Sequence, residues 1–500
     1  MKMRTQMTVG KTGALIDDAK LWKAIDWPEA RQRVRRLQIR IAKAMKEGKP
    51  GKVKSLQWLL THSFHAKLLA VKRVTSNKGK KTPGVDGVLW QGDRAKMRGA
   101  RSLKRRGYRP QPLRRIYIPK KNGKKRPLSI PTMYDRAMQA LHKLALAPVA
   151  ETTADRNSYG FREGRSCADA IAAAFNALSK PNSATWVYEG DIRGCYDNIS
   201  LAWLVENIPM DKEILNKWLR AGYVENGITF PSHKGTPQGG IISPTLANMT
   251  LDGLEQAVRA AVPLRSRVNF VRYADDFIVT GKSKRLLETR VAPAIEAFLA
   301  KRGLELSEEK TTTSHIKDGF TFLGQNVRKH GKVLHITPAK EGVLALLRKT
   351  GALIRKYVSA PIEALFRKLN QTLRGWGNYH RHVVSVEAFR RIDTYVYEQL
   401  WRMLHRRHPK KSKNWLTNKY WTASGRKHVF AVRSKTKEKT SILQVIRLTS
   451  IGIKRHIKIK ADANPYDPEF GSYFWRRRHK KESKLFSALS AREFRAATAH

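Results

Sequence analysis

The stretch VNFVRYADDFIVTG, residues 268–281, decides how the chain reads. Two apolar blocks rich in β-branched and aromatic residues flank Ala274, Asp275 and Asp276, which predicts a hairpin with two acids at its turn. An Asp–Asp pair in a turn is commonplace by itself. Carboxylates beside hydrophobic strands are costly, however, unless a cation offsets them. A second acid has the same setting. In ATWVYEGDIRGCYDNIS, residues 184–200, Asp191 closes a strand-like run at a Gly-containing bend. Acids from two strand ends can hold a pair of Mg²⁺ ions about 4 Å apart.

A third segment, KGTPQGGIISPTLANMTLDGLE at 234–255, brings a Gly-rich loop to a helix start, with Ser243 as N-cap and Pro244 at the first turn. Such a junction suits a nucleotide-binding wall, although a loop feeding a helix proves little alone.

Composition narrows the class. The chain has 500 residues, enough for several domains, and 41% are hydrophobic, so it is globular. Its 99 Lys+Arg against 40 Asp+Glu give a formal charge of +59. That excess predicts a polyanionic partner. Cys167 and Cys195 are the sole cysteines. They exclude a disulfide scaffold or Cys-rich zinc module and suit a reducing compartment. No 18-residue apolar run and no apolar leader occur, so no membrane role is expected.

Residues 1–20 read as a mobile tail, and 22–74 as helical, with Val34, Leu37 and Ile41 on one face. Arg31, Arg33, Arg35, Arg36 and Arg40 cover much of the rest, a candidate RNA-binding face. Strands are predicted at 115–119, 184–191, 269–273 and 277–280, and helices at 132–147, 167–178, 244–260 and 283–301. Beyond about 340 the pattern is helical, with Leu365, Leu369 and Leu373 on one stripe. Residues 401–440 hold 13 Lys/Arg and one acid, interleaved with Trp401, Trp415, Tyr420, Trp421 and Phe430. That mixture predicts an RNA or single-strand surface.

At the three segments above, the chain resembles the reverse transcriptases encoded by group II introns. YADD, DIRGCYDNI and TPQGGIISPTLANM are similar to the palm motifs of that family. Further similarities follow in family order: TPGVDG at 82–87, RRIYIPKKNGKKRPLSIPT at 114–132, NSYGFREGRS at 157–166, GLELSEEKT at 303–311 and FTFLG at 320–324. RGWGNYHRHVVS at 374–385 resembles the thumb, or maturase domain X. IKIKADANPYDPEFGSYF at 457–474 resembles the stretch that closes the family's DNA-binding region.

The resemblance implies an α+β right-hand polymerase: a basic N-terminal extension at 1–80, fingers and palm at 81–338, a thumb at 339–405 and a basic DNA-binding domain at 406–500. It implies an RNA-directed DNA polymerase and intron maturase that binds its group II intron RNA, aids splicing and copies the intron into DNA. Partners would be that RNA, a target DNA and an RNA template with primer, in a bacterial or organellar interior. Two other readings stay open: a splicing-only RNA-binding protein, and a reverse transcriptase co-opted for defence or spacer acquisition.

By resemblance, Asp191, Asp275 and Asp276, with the backbone of Ile192, are the ligands of two Mg²⁺ ions. Lys310 is the candidate general acid for pyrophosphate. Tyr196 stands where the family places a gate against the ribose 2′-hydroxyl. Pro237, Gln238 and Gly239 form the loop beside the incoming dNTP, and Lys120, Arg126, Arg162 and Arg165 are the candidate triphosphate grips. Arg374, Gly375, Trp376, Tyr379 and His380 mark the thumb motif. Glu163 and Ser129 depart from the Pro and Gly that the family often carries there. Many relatives append a zinc endonuclease, which needs cysteine pairs. Residues after 474 contain no Cys, so neither that module nor zinc is expected.

Overall fold

The computed structural model describes residues 17–119, 123, 125–421, 429–435 and 440–479. It opens with α1 (Asp18–Lys23), α2 (Trp27–Lys46), α3 (Pro50–His62) and α4 (Phe64–Ser76). The helical stretch read over 22–74 is therefore interrupted. Pro50 begins α3, and Ser63, in extended backbone, separates α3 from α4. Asp17 and Asp26 cap α1 and α2 through their carboxylates. Val34 and Ile41 are buried and Leu37 half-buried, so the apolar stripe faces the core as its spacing required.

After α5 (Gly92–Ser102), β1 (Leu113–Pro119) and β2 (Lys125–Ile130) form an antiparallel hairpin. Then come α6 (Met133–Thr153), α7 (Cys167–Leu178), β3 (Trp186–Asp191) and the short helices α8 (Cys195–Asn198), α9 (Leu201–Asn207) and α10 (Lys212–Leu219). β4 (Tyr223–Glu225) joins β1 in parallel and carries β5 (Ile228–Phe230), giving the sheet order β2-β1-β4-β5.

The predicted helix over 244–260 is two helices, α11 (Ser243–Leu251) and α12 (Leu254–Ala260). Asp252 takes extended backbone between them, because its side chain serves a buried arginine described below. β6 (Asn269–Tyr273) and β7 (Asp276–Gly281) form the expected hairpin. A helix follows as α13 (Lys284–Leu286), a π turn and α14 (Ala292–Ala300).

With β8 (Thr312–His315), these strands build a four-stranded antiparallel sheet, β6-β7-β3-β8. Its two faces alternate as strand geometry demands. Tyr188, Phe270, Phe277 and Val279 enter the large core shared with α6 and the N-terminal helices. Val187, Val271 and Ile278 enter a second core with α7. That second core continues into β9 (Phe320–Phe322), β10 (Gln325–His330) and β11 (Val333–Pro338).

α15 (Lys340–Lys356), α16 (Ile362–His380) and α17 (Val386–Arg407) pack as a bundle in which Leu365, Leu369 and Leu373 are buried. α18 (Lys413–Tyr420), β12 (Ala431–Lys435) and β13 (Thr440–Gln444) join the same core through Leu416, Tyr420, Val432 and the half-buried Leu443. The boundary expected near 405 thus divides no core. The chain ends its described part with α19 (Gly471–Arg478), which lies on the second core of the β6-β7-β3-β8 sheet through Phe474.

Candidate active site

The β6–β7 hairpin has a two-residue turn, Ala274 and Asp275, because Tyr273 pairs with Asp276. Ala274 has φ +58. Tight hairpins take positive φ at the first central residue, where Gly is the usual occupant. Ala274 is buried and held there by its surroundings, so the turn stores strain at the site. Beneath it Arg272 is fully buried and donates to Asp252 at 2.5 Å, to Asn248 at 3.4 Å and to the Ala274 carbonyl at 3.4 Å. Burial pushes the Asp252 carboxyl up to about 7 against the opposing pull of Arg272. Neither residue was anticipated. The available signal was a charged side chain inside an apolar strand.

Asp191 and Asp276 face each other across β3 and β7 in register. Burial, then the charges of Asp275 and Asp191, push the Asp276 carboxyl up to about 6. Asp275 is raised by burial and then by Asp191. Lys310 donates to Asp191 Oδ2 at 2.6 Å, and this bond raises the ammonium further. The three acids found in sequence therefore converge, each disfavouring its neighbours' charge. Among the described residues, no three acidic, His or Cys side chains are already gathered around one point. The donor set still suits Mg²⁺: all oxygen, excess negative charge, and one ammonium standing on Asp191.

Tyr196, in α8, is raised by burial and then by Asp275, which places it beside the acids. The charges of Arg126 act on both Tyr196 and Asp275. Gln238 Nε2 donates to Asp197 at 3.1 Å, and its carbonyl accepts from the Ser129 amide at 2.7 Å. Gly239, with φ +120, passes so close to β2 that a Cβ would stand 2.5 Å from the Ser129 carbonyl. The 236–240 loop, Pro237 included, is thereby laid along β2, and the Thr236 amide donates to the Tyr196 carbonyl at 2.6 Å.

Other expected residues are placed elsewhere. Lys120 lies outside the described residues. Arg162 and Arg165 do not point to the acids. Arg162 spends its nitrogens on Glu151, at 2.9 and 2.6 Å, and on the carbonyls of Asp155 and Ser158. Arg165, with a 1% exposed side chain, reaches Glu151 and the carbonyls of Ala461 and Ala463. Both side chains are buried and engaged by groups of the protein itself. Of the arginines on α2, Arg35 is likewise engaged: it donates to the Pro465 carbonyl and covers the Tyr466 ring at 4.6 Å. Arg31, Arg36 and Arg40 are exposed.

In the thumb motif Arg374 and Gly375 are exposed, while the rest joins α16 to the sheets. Trp376 packs on His380 at 4.1 Å, and the Tyr379 hydroxyl donates to the Leu323 carbonyl at 2.7 Å. His380 meets Gln325 at 3.1 Å, and burial lowers it to about 4. The aromatics of 401–440 are less available than expected. Tyr420 and Phe430 are core, Trp401 and Trp421 pack with Tyr397, and Trp415 lies under Lys419 at 4.6 Å.

A second concavity was not foreseen. Behind α6, a cavity of about 840 Å³ is lined by Trp58, His62, Lys67, Lys104, Arg106 and His142, among others. Trp58 is 57% exposed and stacks on His62 at 4.1 Å.

The chain is similar to known proteins over most of its length. The family described as reverse transcriptase (RNA-dependent DNA polymerase) matches residues 118–327, from β1 to β10. The N-terminal domain of reverse transcriptase matches 22–103, and the group II intron maturase-specific domain matches 343–421. The chain is 32% identical over 328 residues to group II intron-encoded protein LtrA of Lactococcus lactis subsp. cremoris, covering 52% of this chain and 54% of that protein. It is 31% identical over 309 residues to protein YkfC of Escherichia coli strain K12, covering 53% and 81%. With an uncharacterized 91 kDa protein in the cob intron of Schizosaccharomyces pombe, identity is 26% over 415 residues, covering 66% and 51%. The match thus spans about half the length of the Lactococcus and Schizosaccharomyces relatives. With three successive domains matched in order around converging acids, the chain belongs to the group II intron reverse transcriptase/maturase family.

Proposed function

We propose that this chain is an RNA-directed DNA polymerase and intron maturase that binds a group II intron RNA, aids its splicing and copies it into DNA at a target site. The convergence of Asp191, Asp275 and Asp276 on paired strand ends carries the polymerase half. Asp191, Asp275, Asp276 and the Ile192 carbonyl would hold two Mg²⁺ ions, which activate a primer 3′-hydroxyl and neutralise the leaving pyrophosphate when bound. The chain's own groups do the rest. Tyr196 walls the sugar side beside Asp275, where a ring excludes a 2′-hydroxyl. Gln238, fixed by Asp197 and Ser129, sets the floor for the incoming base. Arg126 offers the triphosphate a cation. Lys310, charged while it stands on Asp191, would hold on Nζ the proton for the leaving pyrophosphate.

The maturase half is supported by the 343–421 match and by charge. Exposed Arg31, Arg36 and Arg40, with Lys67, Lys104 and Arg106 around the exposed Trp58–His62 stack, form an N-terminal RNA face. Among the described residues no helix is long and apolar enough to cross a membrane. The proposed setting is a reducing bacterial or organellar interior.

Primer extension tests the polymerase. Asp275→Asn keeps the shape of the turn but supplies a poor Mg²⁺ ligand, so extension on an RNA template should fall below detection. Near-normal extension by the pure variant in saturating Mg²⁺ would refute the assignment.

A further inference from the structure

The segment 456–478 packs against the rest of the molecule through its apolar residues. Ile459, Ala463 and Phe474 share a core with Val187, Val271 and Ile278 of the catalytic sheet. Its polar contacts face inward as well. Asp169, already in a capping box with Ser166 at the start of α7, also accepts from His456 at 2.8 Å, from the Ile459 amide at 2.7 Å and from Arg477 at 2.7 Å. On the other side Lys46 pairs with Asp467, and Arg35 bonds the Pro465 carbonyl, so the segment also grips α2.

Its central contacts fall on the loop 157–166. The Tyr466 hydroxyl donates to Glu163 Oε2 at 3.0 Å. The Ala461 carbonyl accepts from Arg165 at 2.9 Å. The Phe474 ring fills the space where a Cβ on Gly164 would stand, 2.9 Å away. That same loop carries the catalytic hairpin. The Tyr159 amide donates to the Arg272 carbonyl at 2.9 Å, and the Arg272 amide to the Asn157 carbonyl at 2.9 Å. Asn248, which also accepts from Arg272, donates to the Gly160 carbonyl at 2.7 Å. A Cβ on Gly160 would stand 2.4 Å from the Ala274 amide. The loop is thus a spacer of fixed thickness between the segment and the strained turn that presents Asp275.

We propose that residues 456–478 form a strap that positions the catalytic hairpin, with Glu163, Arg165 and Tyr466 as positioning residues for the polymerase reaction. The proposal rests on the polymerase reading above. It also gives Glu163 a role, as the acceptor for the Tyr466 hydroxyl. Positioning matters at this spot because Ala274 holds positive φ only while its neighbours enforce it. A loop freed from the strap lets the turn relax, and the Asp275 carboxylate then loses its fixed direction.

The test uses the full chain. Tyr466→Phe removes one hydroxyl and no volume. Arg165→Ala removes the carbonyl grip. Glu163→Gln keeps an acceptor for Tyr466. With Tyr466→Phe, the Mg²⁺ concentration for half-maximal extension should rise and kcat fall, each by about two- to ten-fold, the range one hydrogen bond supports. KM for primer-template should stay unchanged. Glu163→Gln should behave as the parent protein. Without metal or substrate, amide exchange followed by mass spectrometry should quicken at 157–160 and 272–276 in Tyr466→Phe and Arg165→Ala, but not in α16. Variants that melt lower yet keep the Mg²⁺ profile and hairpin exchange of the parent would overturn the proposal and leave the strap a mere clamp. If Arg165→Ala does not fold, Tyr466→Phe decides alone. If Asp275→Asn still extends primers, the polymerase reading fails, while the exchange data still report on the strap.

Discussion

The acids at the strand ends work against the fold that holds them. Asp276 ionises near 6 in the native protein and near 3.9 in an unfolded chain. Its native pKa is raised, so the penalty on the charged form is largest above pH 6 and vanishes as the carboxyl protonates in both states. Asp276→Asn should therefore raise the metal-free melting temperature at pH 7 by a few degrees while lowering extension, and the gain should fade toward pH 4. Differential scanning calorimetry across that range checks the sign. Tyr196→Ala tests a separate residue: ribonucleotide incorporation should rise while deoxynucleotide use is partly kept. Unchanged sugar discrimination would make Tyr196 a packing residue. At this scale the sequence was informative where chemistry forces a residue type. Asp191, Asp275 and Asp276 could be singled out because acids beside apolar strands call for a cation, whereas Lys310 was named only through the resemblance. Arg162, Arg165 and Arg35 could not be sorted from free cations, because 99 basic residues look alike until their internal partners, more than a hundred positions away for Arg165 and Arg35, are known.

Strands and helices with strict periodicity were legible almost to the residue, such as β6, β7 and α7. The break between α11 and α12 was not, because Asp252 leaves the helix to meet Arg272, a tertiary demand that overrides local propensity. The junction of α16 with β10 is a second such demand. Burial lowers both His380 and His142 to about 4, whereas an unfolded histidine titrates near 6.5. The native state binds fewer protons between those values, so their contribution is complete above about pH 6.5 and is lost as pH falls toward 4. His380→Gln removes one titration and keeps an amide opposite Gln325. Its melting temperature should fall less than the parent's between pH 6.5 and 4, as circular dichroism can follow. An equal fall would show that His380 does not titrate in the native contact.

For the whole molecule, the proposed RNA partner would meet a large excess of cations. If about 6–10 phosphates are engaged, affinity should drop roughly 10³–10⁵-fold between 50 and 200 mM salt. A flat filter-binding profile would shift the emphasis to stacking. Polymerase and maturase should also separate. Asp275→Asn with Asp276→Asn should stop DNA synthesis yet keep intron binding and splicing, because binding needs surface rather than carboxylates. Charge reversal at Arg31, Arg36 and Arg40 should do the opposite. Arg35 belongs outside that set, since reversing it would break the grip on Pro465 and Tyr466.

That grip has a consequence during synthesis. Arg35 and Pro465 are 430 positions apart. At about 5–20 residues per second, a ribosome needs roughly 20–90 s to make the second after the first. Throughout that interval the helices of the N-terminus and the catalytic sheet can collapse, but the loop under the hairpin has nothing to lean on. A nascent chain therefore holds its acids in outline only, and the loop beneath them gains its support once residues 456–478 have been made.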